Sequence, residues 1–196
     1  MIFLFKLIKH RGIYNKEVKE NSYEGIKLAL EDSNYLGVEF DIRETLDNEI
    51  ILFHNPIYNN KLISKTYYKE LPKYVPKLED ILSINSNKIF LIEIKNIEHN
   101  FDKFLSILEK YKNKNIYVMS FYLNNIKKIN ISNRFYKIGI LNYVLNTNDY
   151  IKKLDFVGIL NNLINKDMIN KLNNIKIFSY GGKKKKYDEV YYIIDE

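Results

Sequence analysis

Short runs of apolar and β-branched residues alternate with helix-like stretches along the whole sequence of 196 residues. Neighbouring parallel strands need a long crossover between them, usually a helix, so this alternation is typical of a parallel α/β sheet. We predict strands at residues 3–9, 37–42, 49–53, 88–95, 115–120, 135–141, 154–159, 175–180 and 190–194. We predict helices at residues 23–33, 78–83, 97–111, 123–129, 148–152 and 166–172.

The number of predicted strands favours a closed barrel. Residues 46–49 resemble a tight turn, and if residues 49–53 continue the second strand beyond it, eight strands remain. We therefore predict a single domain over residues 1–196, folded as a compact α/β (β/α)8 TIM barrel. Such barrels rarely have fewer than about 200 residues, so some helices must be shortened or missing. An open doubly wound sheet is the alternative, but the chain lacks a glycine-rich phosphate loop.

The chain carries a net charge of +7 and contains no cysteine. The absence of cysteine excludes disulfides and thiolate metal sites. The positive charge admits anionic partners such as phosphates, lipid headgroups or nucleic acid, without choosing among them. Four consecutive lysines at positions 183–186 follow the seventh predicted barrel strand, where barrel loops often bind phosphate. This run is either a solvated loop or a place of peripheral contact with an anionic membrane.

The apolar start of the chain is too short for the core of a signal peptide, so we interpret it as the first strand. No apolar run reaches the roughly 18 residues that a membrane span requires. We therefore expect a cytoplasmic location.

Three acidic residues lie on predicted strands. Glu39 and Asp41 are two positions apart, so on a strand their side chains point to the same side. Glu93 stands in the later strand at 88–95. Close carboxylates repel one another unless a cation neutralises them, and hard oxygen ligands suit Mg²⁺ or Ca²⁺. Ordinary polar positions on a half-exposed strand are the alternative interpretation.

Two histidines end apolar runs next to residues that suit phosphate chemistry. His10 directly precedes Arg11, whose planar guanidinium matches phosphate oxygens, and His54 closes the run at 50–53. Histidine titrates near neutrality, so a pair of them can divide acid and base roles. Lys95 follows Glu93 by two positions and can face the same site. His99 lies in a polar, helical context and is predicted to be a surface residue.

Taken in order, these motifs resemble the glycerophosphodiester phosphodiesterase family. The match is strong over the first half of the chain and thin after it. The matching segments are His10-Arg11-Gly12, Glu20-Asn21-Ser22, residues 37–42, Thr45 with Asp47, His54, residues 75–82 and residues 91–95.

The resemblance implies a TIM barrel that hydrolyses glycerophosphodiesters to glycerol 3-phosphate and an alcohol, with one Mg²⁺ or Ca²⁺ ion. It implies that a small-molecule glycerophosphodiester or lysolipid is the substrate. The residues that it places around the metal are Glu39, Asp41 and Glu93.

The same resemblance implies roles for four other side chains. His10 and His54 would serve as general acid and base, in an order that the sequence does not give. Arg11 and Lys95 would bind the substrate phosphate and stabilise the charge on its oxygens.

Two departures from the family pattern leave the substrate open. Asn55 follows His54 where the family commonly has Asp, and residues 178–181 replace the usual Trp-Thr segment. One alternative is a phospholipase D-like enzyme acting on sphingomyelin or lysophospholipid. Another is a catalytically weak module that binds phosphate or nucleic acid, although no nucleic-acid motif is present and we expect no such partner. The sequence does not indicate the oligomeric state.

Overall fold

The computed structural model describes residues 5–97, 99–130, 132–142, 151–172, 175–181 and 187–195. Its strands are β1 (Lys6–His10), β2 (Gly37–Glu44), β3 (Ile50–Leu52), β4 (Ile57–Tyr58), β5 (Lys61–Leu62), β6 (Ile89–Asn96), β7 (Asn115–Ser120), β8 (Lys137–Asn142), β9 (Phe156–Leu160), β10 (Lys176–Tyr180) and β11 (Val190–Ile194). Its α-helices are α1 (Tyr23–Glu31), α2 (Leu78–Leu82), α3 (Phe101–Lys110), α4 (Leu123–Ile129) and α5 (Lys166–Lys171).

Within these residues, eight parallel strands close into a barrel. Their order is β1-β11-β10-β9-β8-β7-β6-β2, and β1 also pairs with β2, which completes the ring. The predicted TIM barrel is therefore confirmed. Its helices are short, as the length of the chain requires: α2 and α5 have five and six residues. Of the predicted helix at 148–152, the first part lies outside the described residues, and a 3-10 turn follows at Ile151–Lys153.

The segment at 49–53 does not extend the barrel strand in the same direction. It turns back as β3, which pairs antiparallel with the carboxyl-terminal end of β2. The reversal is made by a turn in which Asn48 takes a left-handed conformation, with φ of 60°. The Thr45 hydroxyl donates to Asp47 at 2.7 Å and accepts from the Glu49 backbone N–H at 3.0 Å. This hairpin returns the chain toward the carboxyl-terminal mouth of the barrel.

Side chains alternate between two apolar cores. Inward-facing residues fill the barrel, and they include Ile8, Leu91, Tyr117, Met119, Leu141, Phe156 and Phe178. Outward-facing residues such as Val38 and Phe40 pack with α1 and the other helices in a larger core. On β2 this alternation directs Glu39 and Asp41 inward, between apolar residues that face out.

Lysine and tyrosine side chains lie at the amino-terminal end of the barrel, opposite the acidic residues. Lys176 Nζ donates to the Tyr117 hydroxyl at 2.6 Å, and Lys6 Nζ lies 5.1 Å from the centre of the Tyr191 ring. None of the helices in the described part of the chain has the length and apolar character needed to cross a membrane.

The turn after β1 depends on glycine at position 12. Gly12 has φ of +78°, and a Cβ there would lie 2.6 Å from the backbone carbon of Gly25. We expect Gly12→Ala to lower the free energy of unfolding by about 2–3 kcal/mol, because the alanine would be strained and would push α1 away.

Urea unfolding of Gly12→Ala, with Gly181→Ala as the matched control, tests this expectation. Gly181 also has a positive φ, +58°, but its Cβ would meet only a Leu160 methyl group at 3.3 Å. A loss as small as that of the control would contradict the expectation.

Candidate active site

Three carboxylates meet inside the carboxyl-terminal half of the barrel. Glu39 and Asp41 come from β2, and Asp41 lies directly beside Glu93 of β6 in the parallel ladder. The three side chains are buried, and they can each offer an oxygen so that these atoms lie within 4.8 Å of one another. The structure therefore brings together all three acidic residues that the sequence suggested.

The three carboxyl groups have different electrostatic surroundings. Burial, together with the charges of Asp41 and Glu93, raises the pKa of Glu39 well above its ordinary value. Burial likewise raises the pKa of Glu93. Burial alone would also raise the pKa of Asp41, but the charges of Lys95 and Arg11 outweigh it and lower that pKa. Lys95 and Arg11 therefore do not fully neutralise the negative charge of the three carboxylates.

This donor set fits a divalent cation. Among the described residues, Glu39 Oε2 is buried and accepts no hydrogen bond. Removing such an oxygen from water without a partner is costly, and a cation would supply the partner. Carboxylate oxygens with no sulfur ligand suit Mg²⁺ or Ca²⁺. The residues that could hold the ion are Glu39, Asp41 and Glu93.

Two cationic side chains flank the acidic cluster. Arg11 Nε lies 3.1 Å from Asp41 Oδ2, and Lys95 Nζ lies 3.2 Å from Asp41 Oδ1. Lys95 Nζ is also 2.6 Å from Glu93 Oε1. Lys95 is the extra residue of a β-bulge, since Ile42 pairs with Ile94 whereas the next residue of β2 pairs with Asn96. Bulges commonly redirect side chains next to active sites, and here the bulge residue extends its ammonium over the cluster.

His10 ends β1 and lies beside Glu39 in the ladder. Its Nε2 is 3.7 Å from Glu39 Oε2. Its Nδ1 makes a hydrogen bond with the carboxylate of Asp195, which directly follows the adjacent strand β11. The Tyr14 hydroxyl donates to the same Asp195 oxygen at 3.4 Å. His10 is therefore fixed between two carboxylates, one inside the barrel and one at its rim.

His54 follows β3 and reaches the same mouth through the hairpin. The backbone N–H of Phe53 donates to the Asp41 carbonyl at 3.0 Å, which fixes the chain just before His54. Burial lowers the pKa of His54, although the charge of Asp41 and a hydrogen bond with Asn55 act against this. Because Asn55 Oδ1 can only accept, the 2.9 Å contact requires the proton on His54 Nδ1. Asn55 thus orients the imidazole where the family commonly has Asp.

Two further residues of this site carry no role predicted from the sequence. Asn21 is buried, has φ of 55°, and holds Asp41 twice: its amide donates to Asp41 Oδ2 at 2.9 Å and accepts from the Asp41 N–H at 3.1 Å. Its place in the Glu20-Asn21-Ser22 motif was the available signal. Asp195 is the other residue, and strand alternation from Tyr191 through Ile193 would have directed it inward.

The remaining sequence features lie elsewhere. His99 is exposed, and its backbone N–H donates to Glu44 Oε2 at 3.0 Å, away from the acidic cluster. The lysine run at 183–186 lies outside the described residues.

Two spaces adjoin the acidic cluster. A small recess of about 50 Å³ lies inside the mouth, and its walls include His10, Glu39, Leu141 and Tyr180. A wider cleft of about 820 Å³ opens on the β6–β7 side. Both spaces are bordered by Glu93 and Phe121, so they lie next to each other beside the cluster.

The fold is similar to that of solved structures. No protein-family model matches the sequence, and no curated protein matches it. A glycerophosphodiester phosphodiesterase structure from Thermotoga maritima is 21% identical, with a TM-score of 0.76 over 97% of this chain and 93% of that one. One from Parabacteroides distasonis is 20% identical, with a TM-score of 0.76 over 96% of this chain and 91% of that one.

A phosphodiesterase from Oleispira antarctica, determined with the product sn-glycerol-3-phosphate, is 17% identical. Its TM-score is 0.74, over 93% of this chain and 86% of that one. These likenesses agree with the resemblance recognised in the sequence. They show that this chain has the fold of the glycerophosphodiester phosphodiesterases.

Proposed function

We propose that this chain is a metal-dependent phosphodiesterase that hydrolyses glycerophosphodiesters to glycerol 3-phosphate and an alcohol. The observation that carries the proposal is the convergence of three buried carboxylates, two imidazoles and two cationic side chains at one mouth of the barrel. The shared fold and the product held by the Oleispira antarctica enzyme support the same substrate class.

In this proposal Glu39, Asp41 and Glu93 hold one Mg²⁺ or Ca²⁺ ion. The bound ion would polarise the phosphoryl oxygens and offset the charge that grows on them. Asn21 keeps the Asp41 carboxylate in place through its two hydrogen bonds.

Arg11 and Lys95 bind the phosphate of the substrate. Both already lie within 3.2 Å of Asp41, so an incoming phosphate would meet them next to the metal ligands. Fixed positive charges at this position stabilise the transition state without reorganising as the charge develops.

His10 and His54 carry out the proton transfers. One imidazole takes a proton from the attacking water as its oxygen bonds to phosphorus, and the other gives a proton to the alkoxide that departs as its bond to phosphorus breaks. His54 has a free Nε2 lone pair when its Nδ1 proton is held by Asn55. His10 has its Nδ1 held by Asp195, so its Nε2 is the nitrogen next to Glu39 and the recess.

The proposal is tested by measuring glycerol 3-phosphate released from glycerophosphodiesters. We expect turnover with Mg²⁺ or Ca²⁺, loss of turnover in EDTA, and recovery when the ion is added back. His99→Ala, which changes an exposed histidine outside the site, should retain full activity. Equal turnover with and without EDTA, or no glycerol 3-phosphate with any diester, would refute the proposal.

The alternatives suggested by the sequence receive no specific support. No described residue favours a sphingomyelin or lysophospholipid substrate over a glycerophosphodiester.

A further inference from the structure

The two spaces at the acidic cluster differ greatly in size. A phosphodiester has two arms that diverge from phosphorus, so a phosphate bound at the cluster would direct one arm into each space. The recess of about 50 Å³ has room for about two water-sized groups at about 30 Å³ each, so it can take no more than part of the shorter, glycerol arm. The cleft of about 820 Å³ is then left for the alcohol arm, the part in which glycerophosphodiesters differ.

The lining of the cleft is rich in hydrogen-bonding groups, and its two cations outnumber its one carboxylate. Its polar and charged lining residues are Arg43, Glu93, Lys95, Asn96, Tyr122, Asn124 and Asn125. Glu93 is the single carboxylate among them, and it is paired with Lys95 at 2.6 Å. The charge of the lining therefore favours an arm that is neutral or negative.

Two aromatic residues line the cleft: Phe121, which also borders the recess, and Tyr122, which is 63% exposed. Phe121, the one next to the acidic cluster, does not favour a cationic arm. A quaternary ammonium group is usually bound on the face of an aromatic ring. Lys95 Nζ already lies 6.0 Å from the centre of the Phe121 ring. A second cation brought to this ring would meet the charge of Lys95.

Arg43 lines the cleft, and hydrogen bonds fix the orientation of its guanidinium. It follows Asp41 on the inward face of β2, at the bulge, and its Nε and Nη2 donate to the His54 carbonyl at 3.0 and 2.7 Å. Among the described residues no carboxylate forms an ion pair with this half-buried guanidinium, although the charges of Asp41 and Glu93 act on it from a greater distance. A guanidinium has five N–H donors, so donors remain for a ligand in the cleft.

We propose that this cleft is a subsite for the leaving alcohol that selects hydroxyl-rich, uncharged or anionic alcohols and discriminates against quaternary ammonium alcohols, with Arg43 determining the specificity. The inference rests on the proposed phosphodiesterase function and goes on to define its substrate class.

The first test compares glycerophosphoglycerol with glycerophosphocholine as substrates in the presence of Mg²⁺. We expect kcat/KM to be at least about tenfold higher for glycerophosphoglycerol. Equal values, or a preference for the choline ester, would overturn this inference and leave the phosphodiesterase function intact. Hydrolysis of neither would overturn both.

The second test alters the charge of the cleft. Arg43→Gln should reduce the preference at least about fivefold, but it also removes bonds to His54, so the ratio of the two substrates is the informative quantity. Asn124→Asp adds a carboxylate to the cleft wall without touching His54, and it should shift the ratio toward glycerophosphocholine.

Asn113→Asp is the matched control. It makes the same chemical change at an exposed residue in the connection before β7, at the opposite end of the barrel. It should leave the ratio unchanged. If Asn124→Asp behaves like this control and Arg43→Gln lowers both activities equally, the cleft does not bind the leaving alcohol.

Discussion

Glu39→Gln is expected to lose about 10³-fold in turnover and yet to unfold at a higher temperature than the unaltered protein when both are in EDTA. The loss of turnover follows because the metal supplies several kcal/mol of charge stabilisation in such sites. The gain in stability follows because Glu39 is 1% exposed, repels Asp41 and Glu93, and has an oxygen without a hydrogen bond among the described residues. A neutral amide of the same shape removes that repulsion, at a gain of about 1–2 kcal/mol.

The pH dependence of this effect has a definite sign. Folding raises the pKa of Glu39 above its ordinary value of 4.5, so the folded chain binds a proton more tightly than the unfolded chain does. The stability of the metal-free protein therefore falls as the pH rises from about that ordinary value through the raised one. The advantage of Glu39→Gln should grow over the same range.

Thermal unfolding in EDTA and in Ca²⁺ or Mg²⁺, at several pH values, measures both effects. Added metal should raise the unfolding temperature of the unaltered protein and have little effect on Glu39→Gln. Glu109→Gln is the control, because its side chain is 61% exposed and its pairing with Lys112 contributes little. If Glu39→Gln were less stable than the unaltered protein in EDTA, Glu39 would be a structural carboxylate and not one held ready for a cation.

The convergence of the acidic residues could be predicted because it depends on local rules. Glu39 and Asp41 share a face through strand alternation alone, and Glu93 and Lys95 do so on another strand. Parallel strands of a barrel bring their carboxyl ends to one mouth, so these side chains needed only the fold class to be placed together. The predicted strands gave that class.

The other parts of the site depend on features without a local signature. Asn21 reaches Asp41 because its backbone adopts a positive φ, which is uncommon for residues other than glycine. Arg43 and Lys95 take their positions from a bulge between two strands, and no pattern in either strand shows it. Asp195 meets His10 only because the last strand pairs with the first when the barrel closes.

Asp195→Asn is expected to lower kcat about 10²-fold and to leave KM within a factor of about three. The carboxylate accepts a hydrogen bond from His10 Nδ1 and, in the proposed mechanism, would stabilise the imidazolium that forms during proton transfer, whereas an amide provides no charge. Burial alone would raise the pKa of Asp195, but the hydrogen bond and charge of His10 outweigh it and lower that pKa. Asp195 therefore stays ionised near neutrality, so its own titration will not disturb assays there.

A double-mutant cycle shows whether Asp195 acts through His10. His10→Ala alone should lower kcat by about 10³-fold, and adding Asp195→Asn to it should cost nothing further, since the imidazole that Asp195 orients is gone. Tyr14→Phe, which removes only the hydroxyl bond to Asp195, should change kcat less than threefold. If the two losses multiplied in the double variant, Asp195 would have a role independent of the imidazole. The unfolding temperature of Asp195→Asn should be unchanged. The loss in kcat then reports on the positioning of His10 and not on a general loss of structure at the end of the barrel.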